Sequence, residues 1–359
     1  MKKKTTILWS CLIFTQFFYG LTFGQLNQVG DLLSTGSGNA ALIVQEYLKP
    51  YAKSFGADLN GGWYNTAKVH KLGGFDLTLS ISAALVPSAD KNFNLNTIGL
   101  KGQYSVLGDP NTPTVAGKNE SGPTLILKDP TNTYTLTQFT MPKGTGIGMF
   151  PSPMLQLGIG LVKETELTGR FVPKLSFGSS SLSLWGIGVK HSLKQWIPGI
   201  KMLPFFNLSF FAGYTKFTSN VGLSLTPQFY NDALNPDPTN QMTKPFDNQN
   251  MELTVKSFTA NILASFDLPI ITFYGGVGFC STSSSLTLNG NYPIPELSGT
   301  TIVLKDSPNP FMNIKFSGIG TKPRLNAGIK FKMAVITIHF DYTLANYSVI
   351  TAGLGISFR

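Results

Sequence analysis

From residue 75 to its end, the chain repeatedly sets large apolar side chains on every second position. Phe75, Leu77, Leu79, Ile81 and Leu85 face one way, and Asp76, Thr78, Ser80 and Ser82 the other. The pattern returns with Leu155 to Leu161 against Gln156, Gly158 and Gly160, and with Phe206, Leu208, Phe210 and Tyr214 against Asn207, Ser209 and Gly213. It returns again in 324–331, 336–344 and 349–358. A period of two marks strands with two unlike faces. Here the polar face carries Arg324, Lys330, His339 and Asp341, charges too costly for a dry sandwich core. The opposite face is too continuously apolar to meet water on so many strands. Apolar outside and polar inside is the pattern of a transmembrane β-barrel, and closure leaves no edge to protect.

Composition agrees with that reading. Charged residues make up only 13%, while Gly (37) and Phe (27) are abundant. The first 24 residues, basic then apolar then small, read as a secretory signal peptide. Past it, no apolar run approaches the roughly 20 residues of a spanning helix, so a closed barrel is the remaining way across. Removing Lys2, Lys3 and Lys4 with the signal lowers the net charge from +10 to +7. The remaining cations are scattered singly, which gives no nucleic-acid footprint. Of the two cysteines only Cys280 survives, so the mature chain has neither an internal disulfide nor a cysteine-based zinc site.

The expected architecture is all-β: an antiparallel transmembrane barrel of about twelve strands, with ten to fourteen tolerated because single-chain barrels have even counts. Strands are expected at 74–86, 97–106, within 123–140, and then nine more, with 312–332 as one strand bent near Pro323. Short connections at 162–165, 266–270 and 332–334 read as tight turns. Long ones at about 107–150, 226–250 and 287–311 fall at one end by parity. Residues 25–60 do not alternate. Within them, 39–55 has near-helical spacing broken at Pro50, a short helix that either plugs the lumen or lies outside as a leader. The organisation is thus signal 1–24, helical segment 25–60 and barrel 61–359.

Three stretches carry a resemblance: GADLNGGWYNTAKVHKLGGFDLTLSISAALVP (56–87), GLVKETELTGRFVPKL (160–175) and GIGVKHSLKQWIPGIKMLPF (186–205). They resemble an uncharacterised family of bacterial outer-membrane barrel proteins over most of the mature chain. The resemblance implies fold and location, with the outer-membrane bilayer as surroundings and the barrel assembly machinery as a partner in biogenesis. It carries no activity. In general layout, a helical segment before a barrel, the chain is also similar to the long-chain fatty-acid transporters of the outer membrane, although no motif of theirs is matched.

Two groups of candidate residues stand out. Glu166, Arg170, Lys190, Arg324, Lys330, His339 and Asp341 are expected to line the lumen, either as a solute path or as an ion-pair network filling a narrow barrel. His191 and Lys194 beside Trp196 form a candidate anionic-headgroup site at the rim, or a turn with Trp196 in the interfacial aromatic belt. Catalysis is not expected. Three histidines (70, 191 and 339) are available, no GxSxG occurs, and no metal or cofactor site is read. Two functions remain: a plugged transporter or channel for small hydrophobic molecules with Phe-rich walls, or a structural barrel that contacts a partner through its long loops.

Overall fold

The computed structural model describes residues 37–128, 135–223, 248–292, 294–298, 301–305, 309–316 and 320–358. The expected signal, residues 25–36 and most of the second long connection lie outside them. Ten strands close a ring: β1 (Phe75–Leu85), β2 (Met149–Leu161), β3 (Thr165–Phe177), β4 (Ser180–Ser192), β5 (Phe206–Gly222), β6 (Asn250–Asp267), β7 (Ile271–Asn289), β8 (Thr321–Met333), β9 (Ile336–Leu344) and β10 (Val349–Phe358). Each pairs antiparallel with its neighbours in sequence. The ring closes where β1 meets β10, with Phe75 opposite Phe358 and Ala84 opposite Val349.

The count is ten rather than about twelve. Residues 97–106 and 123–140 were expected to add two strands, but Gln103–Leu107, Thr124–Lys128 and Thr135–Thr140 form a separate three-stranded sheet within the first long connection. Strands of five and six residues are too short to cross, since a tilted spanning strand needs about 9–11 residues. The strand expected at 312–332 is two pieces on one neighbour. Met312–Lys315 pairs with the far end of β7 and β8 with its near end; the interruption precedes Thr321, and Pro323 sits in register opposite Phe279. The turn between β2 and β3 has Lys163 and Glu164 at φ 56° and 48°, the primed-turn geometry that suits a twisted hairpin without glycine.

The outer face carries an apolar belt with clear borders. On β7, outward positions read Ile271, Phe273, Gly275, Val277 and Phe279, and then switch to Ser281, Ser283 and Ser285; inward ones switch from Thr272 and Tyr274 to Leu286 and Leu288. On β6 the outward run from Phe258 to Phe266 gives way to Lys256, Thr254 and Glu252, while Val255, Leu253 and Met251 turn inside. Both apolar outward runs span nine residues, enough for a tilted crossing. Rings border the belt at both ends: Trp185 against Tyr214 and Phe258 against Phe279 above, Phe75 against Phe358 and Phe205 against Phe266 below. Beyond the upper border, β5, β6 and β7 continue as a wall with a dry inner side.

That wall receives helix α1 (Ser37–Asn60), which runs through Pro50 rather than breaking there. The proline costs a helix about 3 kcal/mol in the open. Here packing of Ile43, Val44, Tyr47, Phe55 and Leu59, all buried, offsets it. Phe55 meets Phe217 at 4.4 Å and Tyr51 meets Phe150 edge-on at 5.3 Å. Two of its side chains tie it to the loop layer: the Tyr47 hydroxyl donates to the Lys143 carbonyl, and Lys53 pairs with Asp90, which also accepts from Tyr347.

Asp90 makes this tie pH-dependent. Burial alone would raise its carboxyl, but hydrogen bonds from Lys53 and Tyr347 and the charges of Lys53 and Lys49 hold it below the ordinary range. A depressed folded-state value adds stability that is complete above the unfolded range near pH 4 and lost as pH falls through the folded value. Asp90→Asn is therefore expected to flatten the acid side of a stability profile measured by urea midpoint from about pH 5 to pH 2.

Candidate functional site: a lumen filled by the chain's own segment

The inside of the barrel is occupied by the second half of α1 and by residues 61–70, which descend the lumen; residues 71–73 are exposed below it, before the chain turns into β1. The filling segment therefore continues past Asn60, the last residue of α1. Asp58 accepts from Ser152 at 2.8 Å, and Gly56 lies so close to Thr282 that no β-carbon fits between them.

A helix ends with carbonyls that lack partners and with partial negative charge. Two wall arginines meet both needs. Arg170 on β3 donates to the Leu59 carbonyl at 2.9 Å, the Gly61 carbonyl at 2.7 Å and the Gln156 side chain at 3.1 Å. Its guanidinium lies over the Trp63 ring at 3.6 Å, a cation–π contact. Arg324 on β8 donates to the Asn60 carbonyl at 2.6 Å and to the hydroxyls of Thr259 and Thr343. Gly62, at φ 64°, then turns the chain out of the helix. Trp63 and Tyr64 pack with Phe211, Leu263 and Tyr274 in a second apolar cluster. Trp63 fits because Gly188 and Gly213 face it; β-carbons there would lie 3.0 and 2.9 Å from its ring.

Lower down, Lys330 donates to Asn65, Thr66 donates to Asp267, and the Ala67 amide donates to Ser265. At the base, His70 Nδ1 stands 2.7 Å from Glu166, whose other oxygen pairs with Lys190 at 2.9 Å. Asp76 lies 3.7 Å from the same nitrogen and the Ser357 hydroxyl 3.2 Å from Nε2. Ser357, His70 and Glu166 thus stand in the order of a hydrolase triad, and His70, Asp76 and Glu166 could each offer one atom to a metal ion. Neither chemistry fits the details. Lys190 already neutralises Glu166, and the Ser357 amide, the usual oxyanion donor, is spent on the Val335 carbonyl. The group acts as a latch between wall and segment.

All seven lumen candidates are buried inside the barrel. Five of them touch the filling segment or its latch: Glu166, Arg170, Lys190, Arg324 and Lys330. The other two do not pair with each other. Asp341 accepts from Tyr274 and Asn326, while His339 covers Gly353 with both ring nitrogens unpartnered among the described residues. Of the rim candidates, His191 contacts Thr165, Gln195 and Trp196, Lys194 donates to the Leu203 and Phe206 carbonyls, and Trp196 is exposed. The expected Phe-rich lumen wall is mostly absent at lipid depth. Phe210, Phe258, Phe266, Phe273 and Phe279 point outward, because alternation places them opposite the lumen side chains. Missed in the sequence were the segment's own contributors, Trp63, Tyr64, Thr66 and His70, whose stretch has no period to reveal them.

Comparison with solved structures finds barrels of the same class. The outer-membrane protease OmpT of Escherichia coli aligns over 83% of this chain and 100% of its own, at 8% identity and a TM-score of 0.31. The translocator domain of the autotransporter NalP of Neisseria meningitidis aligns over 81% and 89%, at 9% identity and 0.27. Ail, the attachment invasion locus protein of Yersinia pestis, aligns over 80% and 98%, at 7% identity and 0.24. Likenesses at this level assign no activity. No curated protein matches the chain. The match that extends along the whole chain is to a family, the family of unknown function DUF6588, over residues 1–358, and the protein belongs to it.

Proposed function

We propose that this is an outer-membrane channel held shut by its own N-terminal segment, and that its activity is gated passage of small molecules. The observation that carries this reading is the pair of arginine clamps. Arg170 and Arg324 hold three consecutive carbonyls at the end of α1 by side-chain hydrogen bonds, and among the described residues no strand pairing ties this stretch to the wall. A structure fixed for support alone would gain more from filling the lumen with wall side chains than from ordering a separate segment, which costs conformational entropy.

Apolar cargo suits the upper half. If α1 withdrew, Phe150, Met154, Phe217, Val255 and Leu286 would line the vestibule it now fills, and below them the path is polar, with Ser, Thr and Asn on the wall. Deleting residues 37–73 tests the proposal. The full-length barrel is expected to be silent in a planar bilayer and the deleted barrel to conduct steadily, provided that both migrate as folded barrels when unheated. A folded deletion variant as silent as the parent would sink the gated-channel reading.

A further inference from the structure

The lysines that look scattered in the sequence gather at one end of the barrel. A cavity of about 490 Å³ opens at the short-turn end, lined by Lys68 and Lys71 of the filling segment and by Lys163, Lys194 and Lys201 of the wall turns. A second cavity of about 280 Å³ shares Lys68 and Asn207 with it and adds Lys330 and Lys332. Seven lysines thus line the two adjoining cavities, the Lys194 ammonium held by the Leu203 and Phe206 carbonyls, against the carboxylates of Glu164 and Asp267. Such an excess in a concave site focuses a positive potential that attracts anions.

We infer that this basin binds a phosphate-bearing anion, bridging lysines of the segment to lysines of the wall. Like charges facing each other across that boundary repel, and a dianion between them replaces the repulsion with attraction. The rim adds a hint of source. The connection after β4 carries Trp196 at 70% exposure and Met202 at 85%, beside Lys201. Large apolar side chains next to lysine at a barrel's edge match the depth of lipid headgroups. A phospholipid headgroup and a soluble phosphate share the recognition chemistry, and the test separates them. The inference needs the barrel to sit in a membrane but does not need it to conduct.

The experiment titrates pyrophosphate into the folded full chain in zwitterionic detergent by calorimetry, and then repeats the titration with short-chain phosphatidylglycerol present. Saturable binding that weakens with salt is expected. Lys71→Gln, Lys163→Gln and Lys201→Gln combined should weaken it at least tenfold while leaving unheated migration unchanged. These three are exposed, and their side chains hold no part of the latch. Competition by the lipid would assign the site to a headgroup; pyrophosphate binding without competition would assign it to a soluble phosphate. Absence of saturable binding, or a triple variant that binds like the parent, would overturn the inference. Because conductance is not read, this result stands apart from that of the deletion of 37–73.

Discussion

Alanine at both Arg170 and Arg324 is expected to turn a silent barrel into one that flickers open. Each guanidinium is buried and donates three hydrogen bonds, and together they serve the carbonyls of Leu59, Asn60 and Gly61. A hydrogen bond to a charged group contributes about 1.5–3 kcal/mol, and a buried acceptor left without a partner costs about 1–3 kcal/mol. Losing one arginine should therefore weaken the hold on the segment by roughly 2–4 kcal/mol, about 30- to 1000-fold in its closed-to-open ratio. Losing both brings the open state within reach of single-channel recording. Arg170→Lys is the informative control. It keeps the charge but cannot span acceptors on Leu59, Gly61 and Gln156 with one planar fork. It should lie closer to the alanine variant than to the parent. Equal silence in parent, double alanine variant and lysine variant, all folded, would show that the clamps do not hold the gate.

The wall and the filling segment differed in how much of each could be read from sequence. Alternation in β1, β2, β8, β9 and β10 was plain because one face points out of the barrel and is apolar while the other points in and is polar, and that contrast writes a period of two into the residues. It misled at 97–106 and 123–140 because a small sheet outside the lipid alternates in the same way, and only length separates the two cases. The inward set containing Arg170 and Arg324 was visible from parity alone. What these residues hold was not, since GGWYNTAKVHK at 61–71 is shaped by a lumen assembled from distant strands. The basic basin was invisible for the same reason: Lys68, Lys163, Lys201 and Lys332 lie far apart in the chain and meet only once the turns share an end.

The latch at the base makes the second large prediction. Glu166→Leu is expected to destabilise the barrel by about 3–5 kcal/mol, because it leaves the Lys190 ammonium buried without its partner at 2.9 Å and removes the acceptor facing His70. Glu166→Leu combined with Lys190→Met should recover most of that loss, since replacing both members of a buried pair by apolar groups is often close to neutral. The urea midpoint of the folded barrel in vesicles reads both, and the difference between the single and double variants isolates the pair. If Glu166→Leu alone costs less than about 1 kcal/mol, the pair behaves as a solvated surface bridge, and water reaches the base of the segment. A large loss and its recovery together would mean that the site is dry and the charges are mutually dependent. The segment is then held at both ends by buried charge, carbonyl clamps above and an ion pair below. Opening the lumen would require both to give way, which favours a two-state gate over gradual loosening.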